Sequence, residues 1–380
     1  MDLHWKSLNE KRGTVLNQQL AEKILANVME WDTQEVKNNI RNLEHFAELK
    51  YDQYQQYQVG SRFIENLTIW LNQFKSAEER KIAFDFVKER IVFISQGELY
   101  HLINSIYPDV MKPIFREQAR KLIIDNKITD EQEKKKIMYI IGRQSLIFGL
   151  SDGARLDVFR RSAPIISNEQ VCINYEIKNE RMKSIMEEIK KDTDTYADLY
   201  MYNGISQDKI YNIFLLDDFS GSGISYLRQE KDAADKNVWK GKITKVIKQL
   251  SEQTSDSNKI KEIDIHVILY LATEKAKLHI EEQAKKYCKE ENVKIFVHVL
   301  QDIHKYKPDT DLENIMNEYF DHKIVDSHYK KGKYDNPYLG FDECSLPLVI
   351  YHNTPNNSFP IIWAGEKALF PRVTRHKDVN

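Results

Sequence analysis

Ile213-Phe-Leu-Leu-Asp-Asp-Phe-Ser-Gly-Ser-Gly-Ile-Ser225 joins an apolar run to a polar, glycine-containing loop. Four apolar residues deliver two adjacent acids, Asp217 and Asp218, to the end of a buried strand. A loop of small residues follows, and the pattern then predicts a helix start. Gly221 and Gly223 let the backbone approach a ligand, and Ser220, Ser222 and Ser225 offer hydroxyls beside Ile224. Amides at a helix start favour an anion, so Ser220–Ser225 reads as a phosphate loop. A phosphate beside two carboxylates is repelled unless those acids meet hydroxyls or a cation. A sugar phosphate with Mg²⁺ near Asp217 and Asp218 satisfies both demands. The plain alternative is a capped strand-to-helix turn. There is no GxxxxGK[ST] sequence, and GSGIS is not a dinucleotide fingerprint.

Outward from this stretch, Ser145–Leu150, Ile263–Ala272, Val293–Leu300 and Leu346–Tyr351 also read as buried strands, the first closed by Ser151-Asp-Gly-Ala154. Helical stripes lie between them, at Ile243, Val246, Ile247 and Leu250 and at Ala276, Ile280, Ala284 and Tyr287. This alternation predicts a mostly parallel sheet flanked by helices. Before it, apolar spacing from Gln18 to Leu49, from Phe63 to Phe74 and beyond a capping box at Ser76 predicts helices only. The expected division is an all-helical domain over 1–130 and an α/β domain over 131–380. The helical part then covers a sheet edge, mediates a homodimer or binds a partner protein. Polar residues 251–261 suit an exposed connection.

Composition narrows the function classes. Across 380 residues, 56 Lys and Arg balance 58 Asp and Glu, giving a net charge of −2. That balance lacks the basic excess of a general nucleic-acid binder. No apolar run is long enough for a membrane span, and the start lacks an apolar leader core. Three separated cysteines fit a reducing, cytoplasmic location. Tyr51, Tyr54 and Tyr57 read as a base-stacking surface or as a packed helix face. Lys240, Lys242, Lys245 and Lys248 read as the solvated side of a helix. The scattered histidines, His298, His304, His322 and His328, read as core or surface residues rather than metal ligands.

Two further segments carry polar side chains after a strand. Ser151, Asp152, Gly153 and Arg155, with Arg160 and Arg161, suit either phosphate contacts or an ordinary Asp-Gly turn. His352, Asn353, Asn356, Asn357 and Trp363 suit either contacts to a base or sugar, or a rigid sealing loop.

The central stretch resembles the diphosphoribosyl-binding motif of type I phosphoribosyltransferases. More closely, the chain resembles phosphoribosyltransferase-like proteins of bacterial conflict and anti-phage gene clusters. The shared motifs are Gly149-Leu-Ser-Asp-Gly-Ala-Arg155, Leu216-Asp-Asp-Phe-Ser-Gly-Ser-Gly223, His352-Asn-Thr-Pro-Asn-Asn-Ser358 and Leu369-Phe-Pro-Arg372. The resemblance implies a phosphoribosyltransferase-like fold and phosphoribosyl pyrophosphate or a nucleotide as ligand. Asp217 and Asp218 then hold the ribose hydroxyls, 220–225 hold the 5-phosphate, and Mg²⁺ positions pyrophosphate. Ser151, Asp152, Gly153, Arg155, Arg160, His352, Asn353, Asn356, Asn357, Trp363 and Arg372 are the expected further contacts. The implied chemistry is glycosyl transfer or cleavage at the anomeric carbon, in a defence effector that works with other proteins of its operon. The alternative is a non-catalytic nucleotide sensor using the same pocket. One departure is Gly221, which stands where purine-salvage members often carry an Asp base.

Overall fold

The computed structural model describes residues 18–173, 179–207, 209–232, 234–253 and 262–372. The chain start and most of the expected connection, residues 254–261, lie outside the described residues. In chain order the first elements are α1 (Gln18–Met29), α2 (Thr33–Leu49), α3 (Phe63–Leu71), α4 (Ala77–Arg90) and β1 (Val92–Ile94). Next come α5 (Gln96–Ser105), α6 (Lys112–Asp125), α7 (Glu131–Arg143), β2 (Ser145–Gly149), α8 (Leu156–Ser162), β3 (Val171–Cys172) and α9 (Asn179–Thr193). The central elements are β4 (Asn212–Ser220), β5 (Arg228–Lys231), β6 (Asn237–Lys240), α10 (Lys242–Gln253), β7 (Asp264–Ala272), α11 (Glu274–Glu291) and β8 (Lys294–Asp302). The chain closes with α12 (Thr310–Glu318), β9 (Leu348–Ile350) and α13 (Pro360–Trp363). Among the described residues no helix is long and apolar enough to cross a membrane.

Two compact units divide this chain: Met1–Glu98 with Lys305–Asn380, and Leu99–His304. The division differs from a boundary after residue 130. Residues 99–130 belong with the sheet, and 305–372 belong with the early helices. A cause is visible in the strands. Leu346–Tyr351, read as a strand of the main sheet, instead supplies β9, which pairs in parallel with β1 through Val92–Leu348, Phe93–Val349 and Ile94–Ile350.

Within that first unit the capping box predicted at Ser76 forms, and Asp32 caps α2 in the same way. Asp32 accepts from the Gln34 and Glu35 amides, and Ser76 accepts from the Glu79 amide at 3.1 Å. Tyr51 and Tyr54 are buried in an aromatic cluster with Phe63, Phe93 and Phe370, so the packing alternative holds for them. Trp70 is fully buried and donates its indole N–H to the Ile361 carbonyl at 2.7 Å.

The second unit carries a five-stranded sheet in the order β3-β2-β4-β7-β8, parallel throughout. From β2 the chain crosses to β3 on one side. It then returns to β4 on the other side and continues outward to β7 and β8. The winding reverses between β2 and β4, and such a switch point opens a crevice at the strands' carboxyl ends. β2, β4 and β7 read as near-continuous apolar runs because strands of a covered parallel sheet are buried on both faces. Leu146, Phe148, Ile213, Leu215, Val267 and Leu269 join one core with Ile243, Val246 and Ile280 from the flanking helices.

At the opposite ends of the strands sits a buried polar cluster. Gln118 exchanges hydrogen bonds with Asn212 at 2.7 and 2.9 Å, and His266 lies between Asn212 and His298 at 3.3 and 3.1 Å. The His266 ring stacks between Phe214 and Phe296. Burial, with His298 adding to it, pushes His266 down to about 3.

Trp70→Ala removes a fully buried indole and leaves the Ile361 carbonyl without its donor, so chemical denaturation should show a loss of about 3–5 kcal/mol. The folded chain keeps His266 neutral, whereas the unfolded imidazole takes up a proton below pH ~6.5. Stability therefore falls as the pH drops from that point towards 3. His266→Phe, which keeps the stack and removes the titrating group, should show a smaller fall in urea midpoint between pH 7 and pH 5 than the unaltered chain.

Candidate functional site

The carboxyl ends of β2 and β4 bring the Ser151–Arg155 loop against Asp217 and Asp218. Successive residues of a strand project to opposite faces, and the two acids accordingly differ. Asp217 is 1% exposed, while Asp218 is half-buried. Ser151 links them: its hydroxyl donates a short hydrogen bond to Asp217 Oδ1 and a longer one, 3.3 Å, to Asp218 Oδ1. A Cβ on Gly153 would fall 2.2 Å from Asp218 Oδ2, so only glycine lets this loop lie on that carboxylate. Tyr270 of β7 fixes the same loop by donating to the Ala154 carbonyl at 2.5 Å.

The second oxygen of Asp217 is also taken. Tyr226 Oη donates to Oδ2 at 2.6 Å, and Lys242 Nζ lies 2.5 Å from it. Burial pushes the Asp217 carboxyl above the usual carboxylate range, against the pull of Lys242; Asp218 adds to the rise and Ser151 opposes it. The Lys242 ammonium also sits 4.9 Å from the Tyr226 ring centre. Lys242 is thus not part of a solvated helix face. Its neighbours Lys240, Lys245 and Lys248 are exposed as expected. Neither Tyr226 nor Lys242 was legible as a site residue. The ion pair spans 25 positions, and the only signal was a lysine at the first position of an amphipathic helix.

The phosphate loop departs from its expected form. Ser220–Ser225 leads not into a helix but into a turn and the antiparallel ribbon β5–β6, and α10 starts only at Lys242. The first amides of α10 are already bonded: Lys242 N–H to the Ser225 carbonyl at 3.0 Å, and Ile243 N–H to Tyr226 at 3.1 Å. Loop carbonyls therefore fill the anion position that a helix N-terminus would offer. Gly221, Ser222 and Gly223 are buried, Ile224 is half-buried and Ser225 is exposed. Thr273 donates to the Gly221 carbonyl at 2.6 Å. Gly223 is required by its φ of +76° and by α11, since a Cβ there would meet the Ala276 carbonyl at 2.8 Å. Its role here is packing rather than ligand approach. Arg228 donates to the Ile224 carbonyl at 3.2 Å and pairs with Glu230.

Arg155 adopts a left-handed backbone and directs its guanidinium to Asp157 and Tyr100. Beside it a shallow depression of about 440 Å³ is lined by Tyr100, Asn104, Asp157, Val158, Arg161 and Ser162. Asp152 and Arg160 are exposed. The remaining expected contacts lie in the first unit. There Asn357 donates to the Phe341 carbonyl, and Trp363, buried, donates to the Ser358 carbonyl. The backbone carbonyls of His352 and Asn356 accept from Gln56 and Phe341, and Asn353 forms a tight turn with Ile350. Arg372 lies 5.5 Å from the Trp363 ring centre. In this arrangement Asn357 and Trp363 hold their own loop together.

Asp217 does not suit a directly bound magnesium ion, which leaves Asp218 and ligand oxygens as its donors at this site. Both oxygens of Asp217 accept from protein groups, and among the described residues no three His, Cys, Asp or Glu side chains converge.

No curated protein and no solved structure matches the chain. A family model described as PRTase-CE matches residues 67–372, well over half the chain and all of the sheet. The parallel sheet, its switch-point crevice and this match agree: the chain belongs to the PRTase-CE family and is phosphoribosyltransferase-like.

Proposed function

We propose that the chain binds a phosphoribosyl compound, phosphoribosyl pyrophosphate or a nucleotide, at the carboxyl ends of β2 and β4. The observation that carries this reading is Asp218. It is a half-buried carboxylate at the end of the central strand, reached by the Ser151 hydroxyl and lying against Gly153. A carboxylate so placed suits a pair of ribose hydroxyls. Asp217 is the positioning acid behind it, fastening the Ser151 loop to β4. The 5-phosphate then meets the outer part of the loop, Ile224 and Ser225, because Gly221–Gly223 are buried. Arg228, bonded to the Ile224 carbonyl, supplies a cation on that side. Arg155, Arg160 and Asp152, in and after the Ser151 loop, are the candidates for contact with a pyrophosphate group or its replacement.

Glycosyl transfer or cleavage at the anomeric carbon passes through a cationic sugar, which a fixed carboxylate stabilises. Magnesium enters with a pyrophosphate ligand, and Asp218 is the acid on its side, since both Asp217 oxygens already accept from protein groups. A role as a bacterial defence effector, acting with other proteins, belongs to the same proposal and rests on the four motifs shared with conflict-system proteins.

Gly221 and the filled start of α10 support a second reading, a non-catalytic nucleotide sensor. Where purine-salvage enzymes often hold a base, this chain has a buried glycine, and the loop is packed against α11. Calorimetric titration with phosphoribosyl pyrophosphate and nucleotides tests binding, and product analysis with candidate acceptors separates the two readings. Saturable binding is expected. Asp218→Asn should weaken it about tenfold or more, the scale of a charged hydrogen bond, with little change in melting temperature. Gly153→Ala, which pushes the Asp218 carboxylate aside, should do likewise. Titrations that stay flat for every one of these ligands would overturn the proposal.

A further inference from the structure

Two neighbouring acids at a phosphate site need compensating charge, and this chain carries that charge itself. Asp217 accepts from Ser151 and, at 3.3 Å, from the Asp218 amide on one oxygen, and from Tyr226 and Lys242 on the other. A magnesium ion demands near-octahedral oxygen ligands. At Asp217 it would have to expel an ammonium already in contact.

Lys242 is held from three directions. Its Nζ bonds Asp217, its ammonium lies over the Tyr226 ring, and its backbone amide bonds the Ser225 carbonyl. The loop turn and the start of α10 thus fix both ends of the side chain. The side chain is still 20% exposed, and an ammonium has three N–H donors, of which Asp217 uses one. Pairing Asp217 with Lys242 leaves Asp218 as the one acid of the two on the ligand's side. A lone carboxylate facing ribose hydroxyls repels a phosphate far less than two would, because the phosphate lies further along the loop.

We propose that Lys242 takes the charge-compensating place of the divalent cation, so that this site accepts a phosphorylated ribose without magnesium. The proposal rests on the phosphoribosyl reading above, which it deepens by naming a cation-independent mode of binding. Lys242 is a positioning residue here, acting through Asp217.

The test is calorimetry with ribose 5-phosphate, a weak chelator, and with phosphoribosyl pyrophosphate, each in excess EDTA and again in millimolar MgCl₂. For the unaltered chain, the ribose 5-phosphate affinity should be the same within about threefold, under 1 kcal/mol, in the two buffers. Lys242→Met should lose about tenfold or more in EDTA and recover part of it in MgCl₂, because Asp217 is then open to the ion. In the absence of any sugar, Mn²⁺ read by water-proton relaxation should bind the Met variant and not the parent chain. Ribose 5-phosphate binding that needs MgCl₂ in the unaltered chain would overturn the inference while leaving the phosphoribosyl reading intact. Absence of binding in both buffers overturns that reading and this one with it. The two titrations of the unaltered chain decide the matter without any variant, should Lys242→Met fail to fold.

Discussion

A buried carboxylate holds the centre of the α/β unit together. Asp217 sits at the end of the central strand with almost no access to water, a position that is costly for a charge unless donors surround it. The donors come from three separate places in the chain: Ser151 after β2, Tyr226 in the turn beyond β4, and Lys242 at the start of α10. Each contact fixes a different segment. Ser151 brings the β2 loop to β4, Tyr226 folds the small-residue loop back, and Lys242 anchors the helix that covers the core through Ile243, Val246 and Ile247. Removing any one of them would leave a buried acid short of a partner, so the crevice and the core beneath it depend on the same residue.

This arrangement changes what the small-residue loop does. In a direct strand-to-helix turn, Gly221 and Gly223 would expose amides to an anion. Here the ribbon β5–β6 intervenes, and the carbonyls of Ser225 and Tyr226 take the first amides of α10. The loop is therefore closed onto α11 and the helix start, and only its outer edge, Ile224 and Ser225, stays accessible. Asp217 and Asp218, adjacent in sequence and both reached by the Ser151 hydroxyl, differ in burial: Asp217 is enclosed by donors and holds the scaffold, while Asp218 is half-buried.

What the sequence shows and what it hides follow from range. β2, β4 and β7 were legible because a strand in a parallel sheet, when covered on both faces, must be apolar for most of its length. Asp217 and Asp218 stood out by breaking such a run. β3 has two residues and β1 three, too short for any period to register. The ribbon Arg228–Lys231 and Asn237–Lys240 carries charged ends and so resembled a polar loop. Leu348–Ile350 was legible as a strand but not as to its partner, since three apolar residues fit any parallel edge. Lys242 was hidden by its own helix, whose other lysines are solvated. Only a contact 25 residues away distinguishes it.

That same limit explains the division of the chain. A helical start and an α/β remainder look like two consecutive domains when read along the sequence. Yet the pairing of Val92–Ile94 with Leu348–Ile350 ties the two ends of the chain into one unit, and residues 99–304 are an insertion within it. Three residue pairs are too few to offset the entropy of closing so long a loop. The pairing is sustained by aromatic packing on both sides of the insertion: Phe93, Tyr51, Tyr54 and Phe63 from before it meet Phe370 from after it. The family match begins at residue 67, inside α3, and ends at residue 372, just beyond Phe370. It thus includes helices and the closing segment of the first unit as well as the whole sheet. The helical excess over a bare phosphoribosyltransferase-like core is therefore not simply an added leader. From α3 onward it is part of what the family shares, and the aromatic closure is the contact that makes it one unit.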